Sequence, residues 1–495
     1  MSRQRRLRDE RGAVVIHVAI ALMALLLFTS FVIDYGVMWV SRRQAQNVAD
    51  SGALAGALAS IHGGDVTQAA QHFAANNPIW GQGNSAANVD VTLSDATNDI
   101  PPCGTDPGCV RVDVFRNTPD RVGAIRGNPV PTYFASMMGL NDQGVRATAT
   151  AEVASGTSVK CLLPFAVADR WSDMTDLQDD TATYPNDFDH LTNPFPPPQP
   201  GIAGWSPADK YEDLAAGGAD TYATPTSTST GTGWRVSADY GRQLVLKKGD
   251  VGDFSAGWAN KVDLPGSVGS SDYRDDIKAC NPAEVGIAAG GPDPPYQDCS
   301  GFPNSGTTLD EALAGCLGVS SGLTVGPTAQ GIEGGGPPGP NGETDVVDQD
   351  PGAHWDRSEP SGTALDPSRL GGVVAGSGPN AGSWDPDNPR IRPIAIFDID
   401  HYMQNPACVN QAGTGCVIRV ANIIGFFIEG MCPTVKAAGQ LETDAMGNPL
   451  MDCSPNPAGN NEVVGRIVDI PKSGLGGVGR LDQDASFLRV TRLAR

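Results

Sequence analysis

From Gly12 to Ile33 the chain reads GAVVIHVAIALMALLLFTSFVI, an apolar run without a formal charge. At ~1.5 Å per residue it makes roughly 33 Å of helix, enough to cross the hydrocarbon core of a bilayer. Beyond it, Tyr35 to Ser60 contains no proline and is rich in Ala, Leu, Gln and Arg, so the helix is predicted to continue past the membrane as one rod. Ala45, Ala49, Ala53 and Ala57 recur every four residues, with Val48, Gly52, Gly56 and Ser60 repeating beside them. Residues four apart share a helix face, and a face of Ala and Gly lets another backbone approach closely. Two occupants fit this pattern. One is a segment of the same domain. The other is a second subunit, in which case Ala45, Ala49, Gly52, Ala53, Gly56 and Ala57 form a helix-packing interface and the chain is a homo-oligomer through its N-terminal helix.

The period then changes from helix to strand. Val89 to Leu93 and Val110 to Phe115 alternate apolar with polar positions and read as two strands joined across a turn that Cys103 and Cys109 can close. Pro131 to Leu140 reads as a short helix opened by proline, and Gly144 to Ala154 as a final strand. The fold class expected is α+β, a long N-terminal helix against a small antiparallel sheet in a pilin-like arrangement, followed by a β-rich region with Gly/Pro-rich loops. In that region CLLPFAVADRW, from Cys161, reads as a buried strand. Between 205 and 320 only Trp234 to Val236 and Gln243 to Lys247 look like strands, and no fold can be assigned. IRPIAIFDI, CVIRVANIIGFFIEGM, EVVGRIVDI and ASFLRVTRL are β-branched and aromatic runs that mark a second core. The organisation predicted is a basic head 1–11, a transmembrane helix 12–33, a small module 34–155, an irregular or β region 156–323, a Gly/Pro-rich linker or insertion 324–389 and a β-rich end 390–495. If the strand near Cys161 joins the last of these, the Gly/Pro-rich stretch is an insertion within one domain.

Charge and composition add an orientation. Residues 1–11 hold five Arg against Asp9 and Glu10, whereas the whole chain carries −22. A basic flank keeps the N-terminus in the cytoplasm and sends the acidic body outside, as a single-pass protein of the cell membrane. A cleaved secretory signal is the rival reading, but the apolar run is longer than a signal's and continues into Asp34-Tyr35-Gly36 without an A-x-A site. All ten Cys lie beyond the run, which suits disulfides on an oxidising side, with Cys103–Cys109 and Cys408–Cys416 able to close short loops and Cys432 and Cys453 as further candidates. The acidity repels a phosphate backbone and argues against nucleic acid. At 18% charged and 6% aromatic residues the composition is a poor match for a compact cytosolic enzyme, and Gly (61) with Pro (39) marks part of the length as linker.

The motifs that suggest chemistry have ordinary explanations. Gly318-Val319-Ser320-Ser321-Gly322 matches a nucleophile elbow, but the strand and helix that such a turn requires are not evident in the pattern. Gly334 to Gly339 fits a dinucleotide loop only formally, because Pro337-Pro338 prevents the helix. Asp398, Asp400 and Tyr402 fall on one side of an apparent strand and can hold a cation, though a solvated strand end explains them better. Asp385-Pro-Asp387-Asn388 and the group Asp173, Asp176, Asp179 and Asp180 lack EF-hand spacing and read as solvated loops. His17 lies within the apolar run and needs a partner or neutrality, and Asp34 reads as the end of the span. No catalytic, cofactor-binding or metal-binding residue is expected, and the protein reads as a non-enzyme.

RGAVVIHVAIAL followed by VIDYGVMWVSRRQAQNVADSGALAGA resembles the N-terminal segment of the TadE/TadG-like Flp pilus-assembly proteins. Asp34, Gly36, Arg42, Arg43, Gln44 and Asp50 fall on the family motif, together with Gln46, Ala49, Ala53, Leu54, Ala55, Gly56 and Ala57. VPTYFASMMGLNDQGVRATATAEV (130–153) resembles the close of the same module, so the likeness is expected to cover about the first 155 residues. It implies a structural role in assembly, with the lipid bilayer and pilin or other pilus-assembly proteins as partners. His17 stands where pilin-type members carry a Glu five residues after the cleavage Gly, so processing there is not implied. The D-x-S-x-S metal motif of members with a von Willebrand factor A domain is absent. The alternative is an anchored binding module or envelope-acting enzyme that uses this N-terminus only for delivery.

Overall fold

The computed structural model describes residues 9–61, 64–83, 88–94, 99–101, 103, 108–116, 128–172, 211, 220–226, 228–248, 257–267, 269–288, 299, 307–320, 325–334, 336–356, 371–409, 416–431, 462–471, 481–482 and 484–494. The basic head falls largely outside these residues, as do the Asp173 to Asp180 cluster, Cys432 and Cys453. Two units divide the chain, Met1–Val153 with Thr491–Arg495, and Ala154–Val490.

The first unit is built on α1 (Asp9–Ile61), an uninterrupted 53-residue helix. From Val14 to Ile33 none of its side chains is buried, so the apolar run is exposed on every face. One-sided burial begins at Asp34 and continues through Val37, Ser41, Ala45, Val48, Ala49, Gly52, Ala53, Gly56, Ala57 and Ser60, the i, i+3, i+4 stripe of a packed helix. That stripe is taken up inside the unit by α2 (Val66–Asn76) and by the sheet. A Cβ on Gly52 would stand 3.2 Å from the Ala70 carbonyl oxygen, and one on Gly56 2.9 Å from Val110 Cγ1. The small-residue rows therefore accommodate α2 and a strand of their own chain, which replaces the intersubunit interface as their occupant.

The sequence pattern did not reveal α2, although Val66, Ala70 and Ala74 form its buried row and Asp65 caps it by accepting from Gln68 N–H at 2.8 Å. Strands β1 (Val89–Leu93), β2 (Val110–Arg116) and β5 (Val145–Ser155) pair antiparallel, with Val91 opposite Val112 and Val112 opposite Ala149. Cys103 is bonded to Cys109 just before β2. The helix expected at 131–140 is instead a two-stranded ribbon, β3 (Val130–Pro131) with β4 (Asp142–Gln143), enclosing a single 3-10 turn at Ala135–Met138. The chain's last residues return to this unit, where Arg492 donates to Glu152 at 2.6 Å.

The second unit contains, in order, β6 (Ser158–Val159), β7 (Phe165–Ala168), α3 (Val236–Asp239), β8 (Gln243–Lys248), β9 (Trp258–Asp263), α4 (Ser270–Lys278), β10 (Val285–Gly286), α5 (Leu309–Leu313), β11 (Cys316–Ser320), α6 (Val325–Ile332), α7 (Val346–Gln349), β12 (His354–Asp356), β13 (Gly372–Val374), β14 (Ile391–Phe397), α8 (Ile399–Gln404), α9 (Pro406–Val409), β15 (Val417–Met431), β16 (Val463–Val468) and β17 (Ile470–Pro471), before β18 (Leu488–Ala494) leads back. Strands β14, β15, β16, β8, β9 and β7 pair in a closed ring, and β11 bridges β15 and β9 as well. A ring of pairings has no free edge to satisfy. Helices α6, α7 and α8 pack on β15, which explains why that strand is buried along nearly its whole length rather than at alternate positions. Trp258, Phe397 and Tyr402 meet in the core, with ring centroids 5.1 to 5.8 Å apart.

This ring revises the segmentation at 323 and 389. β7, near Cys161, pairs parallel with β14, so both ends of the region share one sheet. The described residues of the Gly/Pro-rich stretch supply α6, α7, β12 and β13, with Ile332, Val346, Trp355 and Val373 buried, and these elements are part of the packed unit rather than a linker. Trp234 to Val236 opens a helix instead of a strand. Three disulfides lie in this unit among the described residues, Cys161–Cys280, Cys299–Cys316 and Cys408–Cys416.

Candidate functional site at the end of the apolar run

Three polar members of the N-terminal motif, Asp34, Gln44 and Gln46, each hold a different segment on α1. Asp34, the first residue after the apolar run, turns its carboxylate into the unit rather than ending the helix. Its Oδ1 accepts from Tyr133 N–H at 2.8 Å, and its Oδ2 from Phe134 and Ala135 N–H at 3.1 and 2.6 Å. These amides open the 3-10 turn, whose first N–H groups have no partner within the turn and present a natural anion-binding end. Gln44 Oε1 accepts from Trp80 N–H at 2.7 Å. Gln46 Nε2 donates to Asp50 Oδ1 at 2.8 Å and to the Thr148 carbonyl of β5 at 3.1 Å. Gly36 is half-buried, with open space where a Cβ would stand. Arg42 and Arg43 are exposed, and the Arg43 guanidinium lies 4.9 Å from the centre of the Trp39 ring.

Two buried charges that the sequence reading passed over support this arrangement. Arg116, at the end of β2, is 1% exposed and donates to the carbonyls of Ile79, Asn128 and Pro129 and to Asn128 Oδ1. It thereby fixes the approach to β3, and burial lowers its pKa. Asp113 on the same strand feels desolvation that raises its pKa. Hydrogen bonds from Thr148 and Arg146, with the charges of Arg111 and Arg146, outweigh it and hold the carboxyl below its ordinary range.

The second unit holds a different kind of polar cluster. The parallel register of β7 and β14 sets Ala168 beside Phe397, so Asp169 and Asp398 follow on neighbouring strand ends. Asp169 Oδ1 accepts from Arg170 and Trp234 N–H at 2.9 and 3.1 Å, and its Oδ2 accepts from Tyr222 O–H at 2.9 Å. Desolvation, with the nearby Asp398 charge, prevails over those bonds and pushes Asp169 up to about 7. Asp398 is the N-cap of α8, accepting from His401 N–H at 3.0 Å and from Thr224 O–H at 3.2 Å, with Arg419 at 3.5 Å. Asp400 accepts from Tyr211 O–H. The strand expected through Asp398 and Tyr402 is thus a capped helix, which removes the alternation that would have put both carboxylates on one side. Asp385 and Asn388 are hydrogen-bonded to each other at 3.3 Å. Among the described residues no three His, Cys, Asp or Glu side chains are grouped to hold a metal ion.

Strand β11 runs into the Gly318 to Gly322 motif as far as Ser320 and α6 begins at Val325, two elements the sequence pattern did not make evident. Ser321 and Gly322 lie outside the described residues. Gly318 and Ser320 are ladder residues paired with Asp263 and Lys261, so the described part of the motif is strand rather than turn.

Residues 12–59 match the family model described as putative Flp pilus-assembly TadE/G-like. The match covers the apolar run and the motif that binds the unit to α1, and it ends before the 130–153 segment to which the resemblance had been extended. No curated protein and no solved structure matches the chain.

Proposed function

We propose that this protein is a membrane-anchored, non-catalytic component of a Flp/Tad-type pilus-assembly or secretion apparatus. The observation that carries this reading is the TadE/G-like match over residues 12–59, the segment in which an exposed apolar helix becomes the spine of a folded unit. The five Arg before the run and the position of every Cys beyond it support a cytoplasmic N-terminus and an extracytoplasmic body. In this reading the helix holds the chain beside the pilins in the membrane, and the acidic second unit meets partners outside. Crosslinking in intact cells, followed by purification of the tagged full-length chain and mass spectrometry, tests it. Recovery of pilin, the secretion ATPase or its membrane platform is the expected result. Their absence from the crosslinked material, in cells that express them, overturns the assignment.

A further inference from the structure

Among the described residues of the first unit, a second group of large apolar side chains is exposed away from α1. Tyr133, Phe134, Met137, Met138 and Leu140 lie within eight residues and all are exposed, Met137 at 84% and Met138 at 73%. Single exposed apolar residues are ordinary, but a contiguous group marks a surface that something covers. Most of the backbone N–H groups of this segment are paired. Met137 N–H donates to Phe134 O at 3.0 Å, Gly139 N–H to Ser136 O at 3.0 Å, Leu140 N–H to Ala135 O at 3.1 Å, and Tyr133, Phe134 and Ala135 N–H donate to Asp34. A loop with its N–H groups paired in this way can enter a medium poor in water, where an unpaired one cannot.

Its position names the medium. The Asp34 carboxylate lies one residue past the apolar run and holds Tyr133 to Ala135 by direct hydrogen bonds, so the loop sits at the depth where the helix leaves the hydrocarbon. The interfacial layer is roughly 5–8 Å thick on each side of a bilayer, enough to contain a short turn fixed there. The helix shows interfacial chemistry at the same depth: Phe31 stacks on Tyr35 at 6.0 Å, and Trp39 is half exposed beneath Arg43. We infer that residues 133–140 are a second membrane contact, a loop that lays Tyr133, Phe134, Met137, Met138 and Leu140 into the headgroup–acyl boundary beside the transmembrane helix, with Asp34 as its positioning residue. The inference rests on reading residues 12–33 as a membrane span.

The test uses the full chain in vesicles of phosphatidylethanolamine and phosphatidylglycerol that contain a phospholipid with a diazirine near the ester end of one acyl chain. After illumination, adducts are mapped by mass spectrometry. Adducts on 12–33 and on 133–140, with β5 unlabelled, are the expected result. Adducts on 12–33 alone overturn the loop contact while leaving the span in place. No adducts on either segment overturn the span and the loop contact together. In Asp34→Ala the yield on 133–140 falls severalfold while that on 12–33 is unchanged; equal yields on both would remove Asp34 from the positioning role.

Discussion

A carboxyl that keeps its proton near neutral pH makes the second unit respond to mild acid against the usual trend. Asp169 is raised from 3.8 to about 7, so between these values the folded chain binds a proton that the unfolded chain has released. Stability therefore falls as pH rises through this window, and this group alone should make the second unit more stable by about 2 kcal/mol at pH 5 than at pH 7. Asp169→Asn keeps an oxygen for the Trp234 and Arg170 amides and should flatten that slope in thermal unfolding followed across pH. Asp113 works in the opposite sense. Its lowered value adds stability above the ordinary carboxylate range, and that stability is lost only as pH falls through the folded value. Arg116 is a separate matter of unpaired partners: Arg116→Met leaves several buried carbonyls without a donor and should cost about 3 kcal/mol, read from the hydrogen exchange of β2 and β3 amides. None of these three residues stood out in the sequence, because their partners lie up to 37 residues away from Arg116 and 229 positions separate Asp169 from Asp398.

At the scale of elements, the close approach of α1 to α2 and β2 decides what the small residues do. Ala49→Leu and Gly56→Leu each force a side chain into a space already filled, and each should destabilise the first unit by about 1–3 kcal/mol while membrane insertion persists. Thermal unfolding in nanodiscs measures the loss, and undiminished stability would free this face for another subunit. The helix itself was legible in the sequence because nothing in Tyr35 to Ser60 breaks it, and β1, β2, β5, β14, β15 and β16 were legible as alternating or β-branched runs. The rest was hidden for identifiable reasons. α2 is short and marked only by Ala spacing and one cap. Asp398 interrupts a strand by capping α8, a local choice that periodicity does not register. The Gly/Pro-rich stretch looked unstructured because its elements are short and gain their order by packing on β15 rather than from propensity. The motif residues could be located, but not their tasks, since Asp34 meets amides 99 to 101 positions later.

For the whole molecule, connectivity governs both strength and order of formation. The Cys161–Cys280 bond spans 119 positions and the Cys103–Cys109 bond only 6. Constraint of the unfolded chain grows with loop length, so replacing the first pair by Ala should cost about 5 kcal/mol against about 2 for the second, measured as the loss in unfolding free energy of each variant. The return of residues 491–494 to the first unit has a temporal meaning as well. If the chain emerges from its N-terminus, the anchor and its motif are available early, yet the sheet beside β5 gains its last strand only after the whole intervening unit has been made. A chain halted anywhere in that interval would be tethered with an open strand edge, and strand edges recruit other chains. Residues 491–494 thus cover a sheet edge that the earlier strands of the first unit leave open.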